Sequence, residues 1–256
     1  MSALLLTYME SMPVNDNFSY QIIQGLLHNI HKIPQISAEK MSELCNVSPS
    51  ALRKYVGTLG YKSYAEFRIS FRTQWEKNYD PEGYFDAAVT NSSLKDTLNS
   101  LRKTLDIIEK DVDESIIESL AVEIHAAKKV IICAHSSNSI RLSLMAQMVL
   151  DGKEIMSVHC PHKLSDYYDE MTPDTIVLLF RTGRNQKCYT FTDLVAMSEK
   201  HVRVALATSF DNPSERVFIT YPLCFHGGSE LSGEIGVDAI SLCILNRYIY
   251  TRKQGL

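Results

Sequence analysis

The sequence predicts two unlike parts in series: an N-terminal all-α bundle containing a helix-turn-helix, then an α/β domain in which a parallel sheet is flanked by helices. Three observations carry this. Up to residue 78, apolar residues recur at helical spacing, as in FSYQIIQGLLHNI, where Ile22, Ile23, Leu26, Leu27 and Ile30 share a face. From Lys129 onward, apolar runs such as KVIICA and TIVLLF alternate with helical segments, the pattern of strands buried on both faces. Between the two, EKNYDPEGYFDAAVTNSS is polar and holds Pro81 and Gly83, which marks a boundary. The expected division is 1–78 for the helical domain, 79–110 for a linker and connecting helix, and 111–256 for the α/β domain.

The helical part is read element by element. The first helix is expected to run to Pro34. Ser37 caps a short second helix with Met41, Leu44 and Cys45 on one face. Asn46 stands where the turn needs a left-handed residue. Ser48 is the next N-cap, with Pro49 at the first helical position. The third helix turns Leu52, Tyr55, Val56 and Leu59 inward, and Gly57 inside it suggests close packing. Gly60 suits its C-terminal cap. Ser63 and Glu66 form a capping box for a helix with Tyr64, Phe67, Phe71 and Trp75 inward.

After the boundary, Leu94, Leu98, Leu101 and Leu105 stripe an amphipathic helix. Five strands follow, in KVIICAHSS, EIMSVHC, DTIVLLFRTGRNQ, VRVALATSFDNP and FITYPLCF, with helices between them and one closing the chain. That last helix carries Ile240, Leu242, Ile244, Leu245, Tyr248 and Ile249. This is more apolar circumference than one sheet face covers, so the surplus is expected to bury against a second subunit.

Composition bounds the function. The 256 residues are 45% hydrophobic and 22% charged, as in an ordinary folded protein. A formal net charge of −4 excludes a generic polyanion binder. Between Arg53 and Arg72, however, Arg53, Lys54, Lys62, Arg68 and Arg72 stand against Glu66 alone. Such a patch suits nucleic acid, and a solvated helix face has the same composition. The six cysteines include no CxxC pair, so buried reduced thiols are expected rather than disulfides or a metal site. MSALLLTYME has no basic lead-in, and no run reaches the length of a membrane span. The expectation is a cytoplasmic protein with no membrane association and no cofactor.

A short helix, a tight turn and a second helix with basic outward residues form a helix-turn-helix, whose second helix reads the major groove. The candidate DNA contacts are Ser48, Pro49, Ser50, Ala51, Arg53, Lys54 and Lys62. One such motif reads few base pairs, so a homodimer or higher homo-oligomer on a two-fold operator is expected.

The stretch SPSALRKYVGTLGYKSYAEFR resembles the signature of the RpiR/MurR family of bacterial transcription regulators. Ser48, Leu52, Tyr55, Leu59, Gly60, Tyr61, Tyr64, Glu66 and Phe67 stand at matching places. Ser50 replaces the usual Ala, Ala51 the usual Thr, Lys54 the usual Arg and Ser63 the usual Gly. Losing the Thr hydroxyl implies an altered operator. The resemblance implies a C-terminal sugar isomerase (SIS) domain that senses a phosphosugar or related anionic metabolite, and control of sugar or amino-sugar genes.

Ligands of open α/β sheets bind beyond the carboxyl ends of the strands. Two loops fall there. In AHSSNSIR, the hydroxyls of Ser136, Ser137 and Ser139 and the amides of a helix start suit a phosphate, or simply cap the helix. Against the family pattern, Ala134 and Ser136 take glycine places and Asn138 that of a serine. In FRTGRNQ the family's Ser-x-Ser-Gly-x-Thr becomes Phe180, Arg181, Thr182, Gly183, Arg184 and Asn185. Arg181 and Arg184 are new cations, able to pair bidentately with an anion or to stand in solvent. A shifted, a lost and an ordinary ligand all remain open. The candidate effector residues are Ser136, Ser137, Asn138, Ser139, Arg181, Thr182, Gly183, Arg184 and Asn185.

No catalytic residue is assigned. Glu230, Glu234, His226 and His135 are conceivable bases, each with a solvated or core alternative, and no Walker or GxSxG loop is present. The rival readings are an aldose-ketose sugar-phosphate isomerase, and a regulator whose SIS-like domain only dimerises.

Overall fold

The computed structural model describes residues 16–78, 93–134, 138–158, 164–181, 189–210, 212–226 and 230–255. The chain divides into two compact units, Met1–Tyr79 and Asp80–Leu256.

In the first unit, Asp16 opens α1 (Asn17–His28) by accepting a bond from the Ser19 amide at 3.0 Å. Ile22, Ile23 and Leu26 are fully buried, each contributing about 1.5–3 kcal/mol by leaving water. The helix stops at His28, well before Pro34, and Ile30–Lys32 tighten into a 3-10 turn. The helix ends at Asn29, which leaves helical geometry (φ −112°, ψ 26°) while its backbone N–H at 3.2 Å and its side-chain amide at 2.9 Å both donate to the Gly25 carbonyl.

Next come α2 (Ala38–Leu44) and α3 (Pro49–Thr58), capped by Ser37 and Ser48. Asn46 adopts φ 53°. The bonds Val47 N–H to Ser42 O and Asn46 N–H to Glu43 O close a Schellman turn. Gly60, at φ 87°, ends α3 the same way, through Gly60 to Gly57 and Tyr61 to Val56. In α4 (Tyr64–Asn78), Tyr64, Phe67 and Phe71 join the core. Half of the expected capping box forms: Ser63 caps the Glu66 amide, but Glu66 reaches the Lys62 amide instead. The Trp75 side chain lies outside the described residues.

The second unit begins its described part with α5 (Leu94–Asp111), capped by a Ser93–Asp96 box, and α6 (Glu114–Ala126). Then follow β1 (Lys129–Ala134), α7 (Ser139–Leu150), β2 (Glu154–Val158), a 3-10 segment (Leu164–Glu170) and β3 (Thr175–Arg181). The chain continues through α8 (Phe191–Glu199), β4 (Arg203–Thr208), a short helical turn α9 (Pro213–Arg216), β5 (Tyr221–Cys224) and α10 (Glu230–Lys253). The sheet is wholly parallel, in the order β2-β1-β3-β4-β5.

Strand alternation sends Ile132, Leu178 and Ala205 to a core with α6, α7 and α10, and Ile131, Val177 and Val204 to a second core with α8 and the 3-10 segment. Both faces are therefore covered, as the apolar strands require. The stripe on α5 behaves differently. Leu94, Leu98 and Leu105 are 77%, 40% and 49% exposed, while Thr104 and Ile107 turn toward the domain. On α10, Ile240, Ile244, Leu245 and Tyr248 are buried in their own domain, and Leu242 stays exposed. Most of the surplus expected on that helix is thus internal.

Candidate nucleic-acid interface and ligand crevice

The turn between α2 and α3 is braced from α1. The Gln21 side-chain amide donates to the carbonyls of Cys45 and Asn46, both at 3.2 Å. Cys45 is buried, and burial pushes its thiol up to about 11, so it stays neutral and acts as a core residue.

With Leu52, Tyr55 and Val56 inward, α3 presents Ser50, Arg53, Lys54, Gly57 and Thr58 to solvent. Ser48 accepts the Ala51 amide at 3.2 Å and touches the Ser50 hydroxyl at 2.9 Å. Ser48, Ser50 and Lys62 are exposed, and Pro49 and Ala51 half-buried. Arg53 pairs with Glu39 of α2 at 2.7 Å, both side chains being largely exposed. Lys54 makes no ion pair with a described residue. Gly57 was expected at a close contact. Instead a Cβ there would meet nothing within 4 Å, so the glycine leaves the outer face of α3 low.

In the α/β unit, β1 lies between β2 and β3, so connections leave β1 and β3 in opposite directions, the arrangement at whose carboxyl ends open α/β sheets bind ligands. Ala134 pairs with Phe180 at that end, and Arg181 with Thr208. The loops after β1 and β3 therefore start side by side. Ser136, Ser137, Thr182, Gly183, Arg184 and Asn185 lie outside the described residues, as does His135.

Three candidates are placed. Ser139 is exposed at the first turn of α7. Asn138 is occupied from within: its Oδ1 accepts the Arg141 amide at 2.8 Å and its amide donates to Asp238 of α10. Arg181, expected as a cation open to a ligand or to solvent, is instead 1% exposed. Its guanidinium donates to Glu215 at 3.2 Å and lies 4.7 Å from the Phe210 ring centroid. Glu215 also accepts from Tyr189 at 3.0 Å and from Asn212 at 2.9 Å. Burial raises the Tyr189 hydroxyl's pKa, keeping it a neutral donor. A buried guanidinium needs a matched anion, and Glu215 supplies it.

No family model and no curated protein matches the sequence. Among solved structures the chain is similar to the Vibrio vulnificus NanR protein complexed with ManNAc-6P, at 14% identity and a TM-score of 0.45, covering 97% of this chain and 90% of that one. It is also similar to the sugar isomerase domain of an RpiR transcription factor from Sphaerobacter thermophilus, at 15% identity and a TM-score of 0.44, covering 62% and 93%.

Sequence reasoning missed several residues that shape these places. Arg141 is buried against Phe180, 5.5 Å from its ring centroid, and donates to Asp238 at 2.9 Å. Gln21, Glu39 and Glu215 likewise act on partners far away in the chain. Their one sequence signal is a polar side chain next to apolar helical positions, which solvated residues share. Of the conceivable bases, His226 accompanies Asp111, its amide donating at 2.9 Å.

Proposed function

We propose that this chain is a cytoplasmic, DNA-binding transcription regulator of the RpiR type, and not an enzyme. The observation that carries the reading is α3. Its roll is fixed by Leu52, Tyr55 and Val56, its start by Ser48, and its outer face offers Ser50, Arg53 and Lys54 together. Arg pairs bidentately with guanine, and Lys reaches guanine or phosphate. Ser48, Pro49, Ala51 and Lys62 complete the proposed interface. The proposed regulator acts as a homodimer on a two-fold operator. Its proposed effector is a phosphosugar or related anion held beyond β1 and β3 by Ser136, Ser137, Ser139, Thr182, Gly183, Arg184 and Asn185.

The test begins by selecting duplexes from a random pool and measuring affinity by anisotropy. Arg53→Ala is expected to cost about 1–3 kcal/mol at one base position, and a lost Lys54 phosphate contact to lower the salt slope by about one. No enriched duplex, or folded variants that bind like wild type, overturns the reading.

A second reading, in which the α/β domain only dimerises, is favoured by Asn138 and Arg181, whose polar groups are already matched inside the protein. Thermal shift with a phosphosugar panel separates the two. A true effector at hundredfold excess stabilises by about 2.7 kcal/mol and changes operator affinity. The dimerisation-only protein shows neither effect.

A further inference from the structure

We propose that α5 is a dimerisation helix which packs antiparallel against α5 of a second copy of this chain, its seam running into the groove beside α6 and α10. The inference rests, for its purpose, on the two-fold regulator proposed above.

The first observation is spacing. Leu94, Leu98, Leu101, Leu105, Ile108 and Val112 follow one another by four and three residues in unbroken alternation. That is the period of a helix meeting another helix along a narrow seam, not of a helix covering a sheet. The second is exposure. In the single chain Leu94, Leu98 and Leu105 remain 77%, 40% and 49% exposed, although the helix is packed against its own domain along the side that carries Thr104 and Ile107. The third is continuity. Leu105, Ile108 and Val112, with Ile117, Cys243 and Tyr250, line an open groove of about 640 Å³. The apolar seam therefore widens into a receptacle at the end where α5 reaches its own domain.

A second copy fits this surface because the surface complements itself. Run antiparallel, two α5 helices stack Leu98 on Ile108 and Leu101 on Leu105, each layer occurring twice, with Leu94 reaching past the end of the partner helix. The exposed N-terminal half of one seam then enters the groove of the other. Charge agrees. On the flank next to the seam, Lys95 lies near the start of α5 and Glu109 near its end, so antiparallel pairing sets Lys95 beside the partner's Glu109, while Arg102 falls at the two-fold axis. A parallel pair would press this flank against the partner's opposite flank. There Thr104 is buried in its own domain and Asp111 is bonded to His226, which leaves no room for it.

The experiment is sedimentation of the full chain without DNA, with circular dichroism as the folding control. Wild type is expected to be dimeric at micromolar concentration. Leu98→Glu, at an exposed position, is expected to keep wild-type helicity and weaken the dimer by about tenfold or more. Lys95→Glu is expected to weaken it less, and Lys95→Glu with Glu109→Lys to restore it. A monomeric wild type, a Leu98→Glu variant as dimeric as wild type, or a charge swap that fails to restore the dimer each overturns the proposal. Because no DNA is present, these outcomes are separate from those of the operator test.

Discussion

Gly25 sits where α1 crosses the end of α2, and a Cβ there would fall 2.6 Å from Cys45 Sγ and 2.8 Å from its Cα. The neighbour is partly backbone, so it cannot swing aside. Gly25→Ala is expected to cost about 1–3 kcal/mol by overpacking, read as a lower midpoint in thermal or urea unfolding. Since α1 also holds the Cys45 and Asn46 carbonyls through Gln21, the same variant should lose operator affinity. Glu39 acts in the other direction. Its own amide and the Ser37 hydroxyl hold its carboxylate below the usual range, with Arg53 adding to this, so at neutral pH it would compete with the proposed operator for Arg53. Glu39→Gln is expected to tighten operator binding at low salt, measured by anisotropy. Ser37, Asn46, Ser48 and Pro49 were legible in the sequence because a cap or turn is settled within a few residues. Gly25, Glu215 and Arg141 were not, because what each meets is distant in the chain.

At the scale of elements, the helix-turn-helix and the five strands follow from local pattern: caps at both ends of α3, and apolar runs of strand length. Two elements departed from expectation for identifiable reasons. The first helix ends at His28 because Asn29 leaves helical geometry and folds its side-chain amide back onto the Gly25 carbonyl. The leucine stripe of α5 reads as an ordinary amphipathic face, yet Leu94, Leu98 and Leu105 stand outside their own domain; periodicity shows that a face is apolar, not what covers it. Gly57 in α3 is the third case. With open space around its Cβ position, Gly57→Ala is expected to raise stability by about 0.5–1 kcal/mol, seen as a higher melting temperature. If α3 lies close against DNA along this face, the added methyl should at the same time weaken operator binding. Higher stability with unchanged binding would place the contact elsewhere on the helix.

Across the whole molecule, strands that alternate with helices imply a parallel sheet, and the observed order β2-β1-β3-β4-β5 sets β1 and β3 side by side, where the proposed ligand site lies. The chemistry of that site was less legible. A residue type such as Arg181 does not reveal whether its charge faces a ligand or a buried Glu215. Charge also sets how the fold responds to acid. Asp16, Asp96 and Asp113 are held below their ordinary range by hydrogen bonds from Ser19, Ser93 and Ser115 at helix starts. Asp111 is lowered first by the His226 amide, and Asp151 first by the Tyr248 hydroxyl and then by Arg252. A carboxylate lowered in the folded state contributes stability that is complete above its unfolded value and is lost as pH falls through the folded one. Thermal midpoints are therefore expected to hold level above about pH 5 and to fall below about pH 4. Asp151 ties α10 to the end of α7, accepting from Tyr248 at 2.6 Å and Arg252 at 3.0 Å. Asp151→Asn should lower the neutral-pH midpoint and flatten the acid limb together, since the amide cannot titrate. A variant whose acid limb matches wild type would show that Asp151 ionises alike in the folded and unfolded chain.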